Sequence, residues 1–151
     1  MAQGDVTIFQ QFLEDVGRKV HNLNADFVFL GLIDSVVTPG ATSAVVRWGA
    51  GSTQDYVGNQ ATPIGGTYVS GGQYATNTYV EAAGTATFDG ADIVAWTQNA
   101  GNPTNARWGI LWNNTATNDE AVAFLDLGSA FDMTTGDLTI TWNGSGIATM
   151  T

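Results

Sequence analysis

The chain contains no cysteine, a single histidine, three prolines and only four basic side chains. Without cysteine there is no disulfide, no thiolate metal site and no thiol nucleophile. With His21 as the lone imidazole, a histidine-rich metal site is excluded too. The four cations, Arg18, Lys19, Arg47 and Arg107, stand against fourteen acidic residues, a formal net charge of −10. Affinity for nucleic acid comes largely from neutralising phosphates with cations. Four scattered ones cannot form a basic groove, so the expectation is no nucleic-acid partner. An anionic membrane surface is disfavoured for the same reason. The longest apolar run, Phe27–Ile33, is far shorter than the ~20 residues a membrane helix needs, so no membrane partner is expected. Met1 to Asp5 has no basic stretch, and Glu14, Asp15, Arg18 and Lys19 interrupt the apolar residues that follow. The expectation is therefore no signal peptide and synthesis in the cytoplasm.

Charge of either sign is scarce as well: charged residues make up 12% of the 151, about half the usual ~25%. The polar surface must be built from Thr, Asn, Ser, Gln and backbone, which cost less to desolvate than ions. Such a surface suits packing against neighbouring proteins. Hydrophobic residues reach 44% and glycine numbers nineteen, a composition for strands joined by tight turns. The length fits one domain with a proper core.

Helical spacing occurs once. Phe9, Phe12, Leu13, Val16 and Val20 form one apolar stripe and predict a helix over 7–20, with Thr7 and Gln10 as a capping box and Arg18 and Lys19 near the C-terminal end. Glu14 and Arg18 stand at i,i+4 in the favourable order. The stripe can cover a face of the molecule's own sheet, the favoured role, or dock on another subunit. From Asp26 the period changes. Phe27–Ile33 is apolar on both faces, as for a strand with something packed on each side. Residues 38–77, rich in Gly, Thr, Ser and Asn, predict long loops with short strands near Val45–Trp48 and Thr67–Val69. Gly84–Phe88 and Ile93–Thr97 flank Asp89-Gly90, a hairpin signal. Ala106–Trp112 places Trp108, Ile110 and Trp112 on one face, and Ala121–Leu127 is a further apolar strand. In Asp137–Trp142, Leu138, Ile140 and Trp142 face one way; a turn at Asn143–Gly146 leads into Ile147–Met150. Strands without intervening helices predict an all-β fold: an antiparallel β-sandwich or jelly-roll-like barrel. The expected organisation is an N-terminal helical segment, 1–24, on a β body, 25–151, as one domain.

Candidate chemistry is thin. His21 lacks a marked nucleophile partner and a supporting third group, and, lying just after the helix, is expected to be a surface or C-terminal helix residue. Asp126, Asp132 and Asp137 could in principle supply oxygen ligands to a cation or the two acids of a glycosidase. The alternate-position spacing of a calcium loop is missing, and the expectation is structural turns. Gly65-Gly66 and Gly71-Gly72 are followed by neither a helix nor a lysine, so no phosphate loop is present. No catalytic, cofactor-binding or metal residue is expected. Of the five tryptophans, Trp108, Trp112 and Trp142 are expected in the core, whereas Trp48 and Trp96 adjoin loops and are expected to be freer for contact. Candidate contact residues are thus Phe9, Phe12, Leu13, Val16, Trp48 and Trp96. Arg-Trp-Gly recurs at Arg47–Gly49 and Arg107–Gly109 with unrelated flanks, which is attributed to chance.

The opening Met1–Phe12 together with Leu30–Ile33, Asn105–Asn113, Ala123–Gly128 and Asp137–Asn143 resembles small virion proteins of tailed bacteriophages. The likeness spans most of the chain outside 38–77, and its weight lies in the ordered series of segments. It implies an assembly role, as a capsid decoration (cement) subunit on the capsid exterior, or alternatively as a tail or fibre subunit with a carbohydrate-binding role. It also implies a sandwich or barrel body, a homotrimer, the major capsid protein as partner, and no catalytic residues.

Overall fold

Sheet pairing, not helix propensity, organises the N-terminal third. The computed structural model describes residues 3–91 and 93–150, apart from the side chain of Ile93. Met1 and Ala2 of the expected segment 1–24, and Asp92 and Thr151 of the expected body, lie outside them. In chain order the elements are β1 (Val6–Ile8), α1 (Gln10–Gly17), β2 (Val28–Ile33), β3 (Val46–Arg47), β4 (Gln54–Asp55), a 3₁₀ turn (Tyr56–Asn59), β5 (Gln73–Tyr74), β6 (Thr78–Ala82), β7 (Thr85–Asp89), β8 (Ile93–Trp96), β9 (Ala106–Asn113), β10 (Ala121–Phe131), β11 (Leu138–Thr141) and β12 (Ala148–Met150). The fold is all-β, with α1 near its N-terminus. Its largest sheet runs β1-β10-β9-β2-β5, beside a β11-β8 pair, a β12-β7-β6 sheet and a two-residue β3-β4 contact. Among the described residues β3 and β4 pair in parallel, and the other ladders are antiparallel.

The five-stranded sheet is apolar on both faces, as the unbroken run in β2 requires. On one face Val28, Leu30 and Leu32 join Leu111, Ala123 and Leu125 in a core shared with Phe88 of β7, Val94 and Trp96 of β8, and Leu138 and Ile140 of β11. The two smaller sheets therefore cover that face, which is a sandwich arrangement. On the other face Ile33, Trp108, Ile110, Trp112 and Phe124 meet Phe9, Val46, Trp48 and Tyr56, supplied by the loops. Each large side chain so buried contributes ~1.5–3 kcal/mol.

Three expectations need correction. The helix is shorter than 7–20, because Val6, Thr7 and Ile8 pair with Leu125, Phe124 and Ala123 in the sheet. Thr7 is therefore a strand residue, Phe9 occupies the helix N-cap position without a side-chain cap, and the Thr7–Gln10 box does not form. At the other end Lys19 takes φ +62, a left-handed conformation that stops the helix before Val20. The Glu14–Arg18 pair does form. The second correction concerns the hairpin at Asp89-Gly90. Strand β7 pairs with β6 and β12, while β8 pairs with β11. The tight turn lies instead at Ala83-Gly84, with φ +51 and +84, the positive angles that a two-residue hairpin turn demands at both central positions. Gly90 has no positive φ; its N–H is taken by its neighbour Asp89's carboxylate at 2.8 Å. Third, Thr67–Val69 is not a strand. There Tyr68 turns inward, and its hydroxyl accepts a hydrogen bond from the Leu32 N–H at 2.9 Å.

Candidate functional site

The apolar stripe divides into a buried half and an outward half. Phe9 packs on Phe124 and Tyr56 with ring centroids 5.0 and 5.9 Å away, and Phe12 lies 5.1 Å from the His21 ring. Both phenylalanines are core. Leu13 is 62% exposed and Val16 38% exposed. These two flank a pair of shallow apolar depressions between α1 and the sheet. One, about 160 Å³, is lined by Leu13, Ile8, Phe88 and Met150; the other, about 140 Å³, by Val16, His21, Tyr79 and Met150. Met150 belongs to both, so Leu13 and Val16 edge one discontinuous apolar surface beside β12, which is an edge strand.

Trp48 and Trp96 are not surface residues. Trp48 is 5% exposed and Trp96 3%. The Trp48 ring stacks on Trp112 at 5.6 Å and 9° between planes, filling the space left by Gly31, where a Cβ would stand 2.5 Å from the ring. Trp96 meets Tyr68 edge-on at 5.6 Å. Adjacency to loops suggested exposure, but the loops fold back over the sheet. Neither ring can serve as a saccharide platform or subunit contact in this fold. Trp108, Trp112 and Trp142 are buried as expected.

The carboxylates are held apart by local partners. Asp126 is ion-paired with Arg107 and accepts the Gly128 N–H at 2.6 Å. Arg107's hydrogen bond, chiefly, holds the Asp126 carboxyl below the usual range. The same guanidinium lies 3.9 Å above the Trp108 ring. Asp132 accepts the N–H and hydroxyl of Thr134 at 2.9 and 2.6 Å, and Asp137 accepts the Gln98 N–H at 2.6 Å. Asp132 thus fixes a turn, whereas Asp126, inside β10, pairs across to β9, and Asp137 ties its segment to Gln98. Among the described residues no group of three or more His, Asp or Glu side chains is placed to hold a metal ion.

His21, expected as a surface or C-terminal helix residue, lies beyond the end of α1 and is buried. The left-handed Lys19 turns the chain back, and the ring lands against Phe12 and Asn113. Asn113 Oδ1 accepts the Thr115 and Ala116 N–H groups, which fixes its amide nitrogen 3.0 Å from His21 Nδ1. Nδ1 is then the acceptor, and the ring proton sits on Nε2, which is buried without a hydrogen-bond partner among the described residues. Burial pulls the imidazole pKa below 6.5, against the opposing pull of Asp15, Glu120 and Asp26. No spacing in the sequence marks this cluster, since its members are brought together across the sheet.

A cleft of about 700 Å³ lies between the β1–β10 margin and β11. Its floor is apolar, with Leu125, Leu127, Ile140 and Ile147; Asp5, Asp126, Asp137 and Asn143 bring polar groups to its lining. Comparison with protein-family models, with characterised proteins and with solved structures finds no match to this chain. By its fold it is an all-β antiparallel protein with an N-terminal helix.

Proposed function

We propose that the chain is a non-enzymatic structural subunit of a tailed-bacteriophage virion, a decoration subunit that sits on the capsid exterior. Its partners are the major capsid protein and further copies of itself, as a homotrimer. One observation carries this reading: Leu13 and Val16 face outward beside the apolar depressions around Met150, on a body whose charged residues amount to only 12%. Apolar side chains so placed can be buried against a neighbouring protein without stranding ions. Each apolar side chain covered contributes only ~1–2 kcal/mol. Repetition over many subunits multiplies weak contacts into firm attachment. The surplus of acid also keeps the subunit from sticking to packaged nucleic acid.

The test uses Leu13→Asp and Val16→Asp, which replace outward side chains and leave Phe9 and Phe12 in the core. Both variants should retain the far-ultraviolet circular dichroism and melting temperature of the parent. In analytical ultracentrifugation they should lose trimer, and in co-sedimentation with shells of the encoding phage they should lose occupancy at least tenfold. A folded double variant that trimerises and coats shells like the parent defeats the proposal. Imaging of the particle separates a capsid position from a tail or fibre position.

A further inference from the structure

Asn113 meets the His21 ring with its hydrogen-bonding groups already committed. Its Oδ1 accepts the Thr115 and Ala116 N–H groups at 2.9 and 3.2 Å. Its amide nitrogen gives one hydrogen to Asp26 Oδ2 at 2.7 Å and has one left for His21 Nδ1 at 3.0 Å. The amide cannot turn over without aiming its own N–H groups at two backbone N–H groups. A donor is therefore fixed opposite Nδ1, and only the neutral ring fits there. Uptake of a proton puts two donors face to face, in a buried site where an unmade hydrogen bond is costly.

The surrounding carboxylates are occupied. Asp15 of α1, Glu120 at the entry to β10 and Asp26 all pull the ring toward protonation, and burial outweighs them. Asp15 accepts from the Gln11 amide at 3.0 Å and Glu120 from the Asn118 amide at 2.8 Å. Asp26 accepts the Asn22 N–H at 2.7 Å as well as the Asn113 amide. Among the described residues Nε2 has no partner to hold a charged ring in place. Tyr79 of β6 and Met150 of β12, which share a depression with the ring, bring no charge near neutral pH.

We propose that His21 is a proton-operated latch: when its ring takes up a proton, the loop Val20–Ala25 swings off the sheet about Lys19 and Asp26 and uncovers Phe12 and Leu23. Lys19, at φ +62, is the joint on the helix side. Asp26 is the far joint, and its carbonyl is tied to the Asn77 amide at 3.1 Å. Between them the loop is held by the Val20 N–H on the Asp15 carbonyl, by the Leu23 carbonyl on the Asn77 amide, and by the ring on Asn113. Phe12 packs 5.1 Å from the ring and Leu23 is buried, so acid enlarges the apolar surface beside Val16 and Met150. The closed ring titrates below 6.5 and the released ring near it. Opening is thus favoured once the pH falls below 6.5, by at most about tenfold at one unit below. The latch needs only the fold, not a place in a virion.

Hydrogen exchange of the full chain, resolved by residue with NMR and corrected for intrinsic rates, tests this at pH 7.5 and 5.5. Protection at Val20, Asn22, Ala25 and Asp26 should lie roughly tenfold or more below that of β9, which marks a local opening. It should fall about fivefold further in acid. His21→Asn puts an acceptor oxygen near the place of Nδ1 but cannot titrate; it should keep the circular dichroism of the parent and lose the acid response. Asp26→Asn should retain the response, which separates the imidazole from the carboxylate that shares Asn113. Long-range proton–nitrogen NMR spectra at pH 7.5 should place the ring proton on Nε2. Loop protection that ignores pH, that falls equally in His21→Asn, or that equals the protection of β9 overturns the proposal. A ring proton on Nδ1 does the same, as does loss of the response in Asp26→Asn.

Discussion

Gly31→Ala should be among the most damaging single-methyl additions in the molecule. The added Cβ would stand 2.5, 2.7 and 2.8 Å from three atoms of the Trp48 ring, where relaxed carbon contacts need ~3.5–4.0 Å. The ring must retreat by about 1 Å, and one of its faces is stacked on Trp112, with ring centroids 5.6 Å apart. Trp112 is itself tethered by its Nε1–H to the Gly71 carbonyl at 3.1 Å. With Trp48 buried and held on that face, the cost belongs at the upper end of the usual overpacking range, about 2–3 kcal/mol. For a chain of this size that lowers Tm by roughly 5–10 °C. Trp48→Phe alone should cost about 1–2 kcal/mol through the void it leaves. In the double variant the smaller ring makes room for the methyl, so the two costs should fall short of additivity by at least about 1 kcal/mol. Urea unfolding followed by far-ultraviolet circular dichroism measures all four corners of this cycle. Full additivity, or a Gly31→Ala protein within ~0.5 kcal/mol of the parent, would mean that Trp48 does not lie over Gly31.

Two further outcomes follow from individual side chains. His21 is held neutral in the fold, with its pKa pulled below the ordinary 6.5, so the unfolded chain binds more protons between that lowered value and 6.5. Stability should therefore be undiminished by this group above pH 6.5, fall as the pH drops below it, and level off beneath the folded value; urea midpoints from pH 7.5 to 5 should show this slope, and His21→Asn should flatten it. Ala83 occupies a left-handed position at φ +51 that asparagine tolerates better, so Ala83→Asn should stabilise the β6–β7 hairpin by about 0.5–1 kcal/mol, read as a higher midpoint in the same melts.

The parts of the fold written in local pattern were legible. Strand β11 alternates apolar and polar residues and β9 places Trp108, Ile110 and Trp112 on one face, so both follow from period alone. The doubly apolar run in β2 correctly implied cover on both sides. What could not be read depended on distant residues. Nothing around Val6–Ile8 announces pairing with Leu125–Ala123, and without that pairing the apolar stripe extends plausibly into a longer helix. Asp89-Gly90 carries the stronger hairpin cue by residue type. Ala83-Gly84 adopts the turn instead, because the ladder joins β6 to β7 and leaves β8 to β11. Of the candidate contact residues, Leu13 and Val16 are outward, while Phe9, Phe12, Trp48 and Trp96 are core. Trp48 shows the limit most clearly. Its place is set by a missing side chain at Gly31, on a different strand, and a lone glycine in an apolar run does not say which ring will use the gap.

The strand order β1-β10-β9-β2-β5 also sets a timetable. The two neighbours in the middle of that sheet that β1 and β2 need come from the last third of the chain. At ~5–20 residues per second on a ribosome, the early strands wait on the order of 10 s for them to emerge. Through that interval Val28–Ile33 has only the two-residue β5 to pair with, and the ladder that finally forms is rich in the distant pairings that make folding slow. Whatever shelters that one segment during synthesis governs how much of this protein a cell obtains in usable form.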